Sequence, residues 1–182
     1  MTFRNGSATS ASCGLLCVGV ALLVSACGSS APSVGPDASS PRPVSAPASA
    51  PALSVVTRLV DLTNVERTQL GLGTLHAEAR LMQAAQIQAD QLARVNQLDH
   101  ILPEALYPRP EDRLAAAGYP WTTYAENLAY GPPDASGVVQ AWMQSLGHRA
   151  NILGANFTEI GTGYTMSPAG RPYYVQVFGR PR

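Results

Sequence analysis

The sequence contains no lysine. All 12 of its basic residues are arginine, 12 Asp and Glu stand against them, and the formal net charge is zero with a pI of about 6.8. A nucleic-acid-binding domain normally carries a basic face, so this balance argues against nucleic acid as a partner. It argues equally against a polybasic patch for anionic membranes. Charge of either sign is scarce, at 13% of 182 residues. Cysteine is scarcer, with three residues, Cys13, Cys17 and Cys27, all near the start. From residue 28 onward there is no thiol, which excludes a disulfide framework, a cysteine nucleophile and a cysteine-based zinc site. The fold must be held by its core alone. Long apolar runs are missing too. The stretch Gly14–Val24 is apolar and uncharged but has only 11 residues, where a spanning helix needs about 20.

That short run has a use. Arg4 precedes it, and Val24-Ser25-Ala26-Cys27 follows. A polar start, a short apolar stretch and small residues at its end are the parts of an export signal. The ending resembles the lipobox of bacterial lipoproteins, in which the cysteine takes a diacylglycerol and becomes the new N-terminus. Residues 1–27 are therefore expected to be a lipoprotein signal with Cys27 as the lipidation site; the alternative is an ordinary secretory signal cut near Ala26. Residues 28–53 hold six Pro, seven Ser and six Ala. Such a composition buries too little to offset ordering entropy, so a disordered Pro/Ser/Ala tether is expected.

Residues 54–182 have the size of one domain. Val56, Leu59, Val60, Thr63, Arg67 and Leu70 share one helical face, predicting a helix over 54–70 that Gly71 and Gly73 stop. Arg67 on that face is expected to be a buried hydrogen-bonding anchor. A second helix is predicted over 77–97, with Leu81, Ala85, Gln88, Leu92 and Val95 inward and Asp99-His100 at its end. Short helices are predicted over 111–117, closed by Gly118, and over 136–146, with Val138, Val139 and Trp142 inward. Strands are predicted at 159–167 and 171–178 around a Pro-Ala-Gly turn. Tyr119, Trp121, Tyr124 and Tyr130 read as loop aromatics that line or seal a groove. His76 reads as a solvated loop residue. Helices ahead of strands indicate the α+β class.

Several stretches in order resemble the bacterial branch of the CAP superfamily, which joins cysteine-rich secretory proteins, antigen-5 allergens and pathogenesis-related proteins. They are Asn64-Val65-Glu66-Arg67 with Gly71-Leu72; Asp99-His100; Ala125-Glu126-Asn127-Leu128-Ala129-Tyr130-Gly131; Trp142 with Gly147-His148-Arg149-Ala150-Asn151-Ile152-Leu153; Phe157–Tyr164; and Tyr174–Gly179. The resemblance covers 57–179, nearly the whole domain. It implies an α-β-α sandwich with a central antiparallel sheet. Many family members place two histidines and two acids around a central cleft. His100, Glu126 and His148 match three of those positions, and the second acid falls near Ser145, which leaves the set incomplete.

Two imidazoles and a carboxylate suit Zn²⁺ or another divalent metal, so the resemblance implies a weak metal site at His100, His148 and Glu126. No cofactor is demanded by the sequence itself, since HExxH is absent. Ser145, Tyr124 and Tyr130 join the three as cleft candidates. Two classes of function follow. One is a lipid-anchored, non-enzymatic module at the cell envelope that binds a lipid or protein ligand, as the family's links to sterol and lipid binding, signalling and host interaction suggest. The other is a metal-assisted hydrolase of envelope peptide or peptidoglycan, with Glu126 as general base. Gln144-Ser145-Leu146-Gly147 is not a nucleophile elbow, and with the missing second acid this favours the first.

Overall fold

The computed structural model describes residues 50–182. The signal and lipobox, 1–27, and the tether up to residue 49 lie outside the described residues. Helix α1 runs Ala50–Gln69, four residues ahead of the expected start. Proline in a first turn costs a helix nothing, because the N–H it lacks has no partner there. The helix ends where Gly71 turns left-handed, at φ 74°. The Leu72 N–H then reaches back to the Arg67 carbonyl at 3.0 Å. Leu59, Val60, Thr63 and Arg67 are buried as expected, but Leu70 is exposed, because the chain has already turned away from the core.

Strand β1 is the residue pair His76–Ala77, and α2 follows over Ala79–Val95. Glu78 caps α2, and Asn96, left-handed at φ 53°, closes it. The helix is shorter than predicted at both ends. Val95 is consequently exposed, and His100 stands in the loop beyond rather than on the last turn. Then come α3 (Pro110–Ala116), β2 (Trp121–Tyr130), α4 (Ala135–Gln144), α5 (Leu146–Ile152), β3 (Glu159–Met166) and β4 (Pro172–Pro181). Strand β2 corrects the loop reading of 119–130. Its inward side chains include Glu126 and Asn127, so the apolar alternation that marks a strand is broken in the middle.

The sheet order is β1-β3-β4-β2. Strand β4 pairs antiparallel with β2 and β3. The edge pair β1–β3 is parallel, so the sheet is antiparallel except at that two-residue edge. Helices α2 and α3 cover one face, where Leu81, Ala85, Leu92 and Leu114 meet Tyr173, Val175 and Val177. Helices α1, α4 and α5 cover the other, where Leu59, Val138, Trp142 and Ile152 meet Ile160, Tyr174 and Phe178. The described residues thus form an α-β-α sandwich. Strand β4 lies between two covered faces, which is why Tyr173–Gly179 is buried without alternation.

Two glycines and one arginine set the close contacts. A Cβ on Gly161 would overlap the Leu81 backbone, and one on Gly163 would overlap the Ala85 carbonyl. Helix α2 therefore rests directly on the backbone of β3. Arg67 is the buried anchor its position on α1 suggested. Its Nε donates to the Gly73 carbonyl at 2.8 Å, and Nη1 donates to the carbonyls of Ile152 and Gly154 at 2.8 and 2.9 Å. It ties α1 to the end of α5.

Gly161→Ala should destabilise the domain by about 3 kcal/mol, because the obstacle is backbone and only a shift of α2 relieves it. Urea unfolding checks this; an unchanged midpoint would mean that α2 does not lie on β3 as described.

Candidate functional site

The site is built on the loop 97–109, which leaves α2 and enters α3. Gln88 and Gln91 on α2 are buried and hold it. Gln88 Nε2 donates to the Asp99 carbonyl at 2.8 Å. Gln91 accepts from the Tyr107 N–H at 3.2 Å and donates to its carbonyl at 3.3 Å. Across the loop, the Leu102 N–H donates to Pro108 O at 3.0 Å. Leu102 and Ala105 are buried beneath it. Helix α3 then starts with Pro110 in its first turn, and the Asp112 carboxylate accepts the Arg109 N–H at 3.0 Å.

Arg113, on α3, joins the loop to the sheet. Its side chain is 1% exposed. Nη1 donates to the carbonyls of Tyr107 and Pro108 at 3.2 and 3.3 Å, and Nη2 donates to the His100 carbonyl at 3.1 Å. Nη2 also meets both oxygens of Glu126, at 3.2 and 3.0 Å. The Glu126 side chain, on β2, is 3% exposed. A buried carboxylate needs such a partner, since an unpaired charge in the interior is strongly unfavourable. His100 completes the cluster with Nδ1 at 2.8 Å from Glu126 Oε1, while the ring is 52% exposed. The hydrogen bond to Glu126 raises His100 above the ordinary histidine range, against the opposing effect of partial burial.

His148 is on α5, which packs against β2. Its titration is lowered by burial first and by the charge of His100 second. A chain of amides holds it there. Asn127 Nδ2 donates to the His148 carbonyl at 3.1 Å and to Gln176 Oε1 at 3.1 Å. Gln176 donates to Thr63 Oγ1 at 2.6 Å. Asn151 Nδ2 donates to Asn127 Oδ1 at 2.8 Å and to the Glu126 carbonyl at 3.3 Å. Trp142, buried as expected, donates from Nε1 to the Leu128 carbonyl at 3.1 Å. Two outward carbonyls of the edge strand are thereby capped by side chains, which leaves that stretch of edge closed to a further strand.

The structure brings His100 and Glu126 into contact at 2.8 Å, and His148 is near enough for the charge of His100 to act on its titration. Tyr124, two residues from Glu126 along β2, flanks them. Its hydroxyl donates to Glu111, its ring meets Trp121 edge-on at 6.1 Å, and burial followed by that hydrogen bond pushes its titration up to about 12. Ser145 is the shared junction residue of α4 and α5. Tyr130 lies apart from the cluster, against Tyr173 at 6.0 Å and under the guanidinium of Arg171 at 4.8 Å. Tyr119 is core, donating to Glu159 at 2.6 Å. His76 is exposed in β1. The sequence reading did not find Arg113. Within Glu111-Asp112-Arg113 it looks like a solvated charge; the signal was its place one residue before Leu114 and four before Ala117, both buried.

The metal set read from the resemblance does not fit this geometry. Both Glu126 oxygens face a guanidinium, and His100 Nδ1 is committed to the same carboxylate. Among the described residues no group of three or more His, Cys, Asp and Glu is arranged to hold a metal ion. Two unit charges about 4 Å apart interact by about 4 kcal/mol at an effective dielectric of about 20, and a dication beside Arg113 doubles the repulsion. The guanidinium is tied to three carbonyls, so it has no free path aside.

Comparison with known proteins agrees with the fold. The profile of the cysteine-rich secretory protein family, CAP, matches residues 60–178. The Bacillus subtilis uncharacterized protein YkwD is 40% identical over 110 residues, which is 60% of this chain and 42% of YkwD. The chain thus spans less than half the length of that relative. An extracellular protein containing an SCP domain from Bacillus anthracis superposes with a TM-score of 0.66 at 26% identity, over 75% of this chain and 45% of that one. An outer surface protein from Borrelia burgdorferi superposes with a TM-score of 0.63 at 22% identity, over 69% of this chain and 92% of that one.

The raised titration of His100 has a consequence for stability. A histidine raised in the folded state contributes fully below its unfolded value, near 6.5, and that contribution is lost as pH rises through the folded value. The melting-temperature gap between the parent and His100→Asn should be larger at pH 6 than at pH 9. A gap that is equal at both, or wider at pH 9, would contradict the His100–Glu126 pair.

Proposed function

Since the chain belongs to the cysteine-rich secretory protein family, CAP, we propose that it is an exported, lipid-anchored binding module of a bacterial cell envelope, with the His100–His148 cleft as its ligand site. One observation carries the non-enzymatic reading. The carboxylate of Glu126 is engaged by Arg113 and His100 and is almost wholly buried. A general base must be within reach of the water it deprotonates. Here the group is spent on holding the cluster.

What remains for a ligand is the outward edge of the imidazoles and the aliphatic side chain next to His100. Ile101 follows His100 and is exposed. An exposed aliphatic next to a hydrogen-bonding ring suits a ligand with a polar group and an apolar body, such as a lipid or an apolar peptide. Export accords with the structural relatives named above, one described as extracellular and one as an outer surface protein. Anchoring rests on Cys27 and the small residues before it.

Two measurements test this reading. With peptidoglycan sacculi or a peptide library, with and without Zn²⁺, the protein should release no more product than Glu126→Gln. Turnover that depends on Glu126 would restore the hydrolase. Labelled fatty acid should be incorporated by the parent and lost in Cys27→Ala, with the variant leaving the membrane fraction; label retained by Cys27→Ala would overturn the anchor.

A further inference from the structure

We propose that Arg113 is the specificity-determining residue of the cleft, excluding divalent cations by holding Glu126 as an internal counter-ion. Three observations lead there. Two side chains of a histidine–carboxylate donor set, His100 and Glu126, are in direct contact at 2.8 Å, so these two ligand types are present and adjacent. The carboxylate that would supply the negative charge is neutralised by a cation from a different element, α3, and not by solvent. That cation cannot be displaced by a side-chain rotation alone. Its remaining donors hold the carbonyls of His100, Tyr107 and Pro108, so moving it would break three further hydrogen bonds and leave the His100 carbonyl without a donor.

The consequence is a division of labour within the cluster. Glu126 faces inward and fixes His100 through Nδ1. His100 faces outward and offers Nε2. A dication offered to this surface finds the His100 imidazole and a fixed positive charge behind it. An uncharged or hydrogen-bond-accepting ligand group meets no such penalty.

This concerns the cleft of the proposed function but is read out by metal binding alone, so failure to find a ligand or an anchor leaves it standing. Zn²⁺ is titrated calorimetrically into the full chain and its variants; the three cysteines are common to all and cancel in the comparison. Arg113→Gln removes the charge while keeping donors for the carbonyls, and should bind Zn²⁺ at least tenfold more tightly than the parent. Adding His100→Ala should abolish the gain. Arg113→Lys, which keeps the charge, should show no gain. A folded Arg113→Gln with parental affinity, or a gain that survives His100→Ala, would overturn the proposal. Should Arg113→Gln fail to fold, Glu126→Gln in the parent background decides. The proposal requires its Zn²⁺ affinity to stay within threefold of the parent, and a greater loss would make Glu126 a metal ligand and refute it.

Discussion

A single guanidinium joins three parts of this domain: helix α3, strand β2 and the 97–109 loop. Arg113 binds the carboxylate of β2 on one side and the carbonyls of the 97–109 loop on the other. Without it Glu126 keeps only the half-exposed His100 as a partner, and the His100 carbonyl loses its donor. Breaking a buried pair of this kind by removing one partner costs about 3–5 kcal/mol. The burial of Arg113 is therefore what allows a carboxylate into the sheet, and the carboxylate in turn fixes the ring of His100. Everything the cleft presents outward depends on that inward pair.

The other half of the cleft is set by neutral groups. Thr63, Gln176, Asn127 and Asn151 run in a hydrogen-bonded chain from α1 through the sheet to α5. No described buried side-chain nitrogen or oxygen is left without a partner, and a fully satisfied network of this kind specifies one arrangement. The carbonyl of His148 hangs from this chain. One histidine is thus placed by an ion pair and the other by amides. The bare faces of Gly161 and Gly163 let α2, which holds the 97–109 loop through Gln88 and Gln91, lie directly on β3. The sandwich and its cleft are consequences of the same few contacts.

Much of this was legible in the sequence, and the failures have physical causes. The helices were visible because Leu59, Leu81, Leu92, Val138 and Trp142 keep helical spacing, and β3 and β4 because of their β-branched and aromatic runs. The ends of α1 and α2 were missed by a few residues, since Asn96 does at the end of α2 what Gly71 does at the end of α1. Strand β2 was missed because its middle carries Glu126 and Asn127, which are there for the site rather than for the strand. Conflict between local pattern and actual structure is most expected at functional positions. The residues His100, Glu126 and His148 were found through a resemblance, while their relation was not. That relation runs through Arg113, whose charge looks solvated until α3 is seen to turn it inward.

The central claim is that Arg113 holds the loop and the cluster as one unit. Native-state hydrogen exchange of Arg113→Lys against the parent tests it most directly. Lysine keeps the charge but cannot span both the carboxylate and the carbonyls. The account predicts that the amides of Leu102, Ala105 and Tyr107 lose protection while those within β3 and β4 keep theirs. Unchanged protection in the loop would contradict it, because His100 would then be positioned by something other than the buried guanidinium.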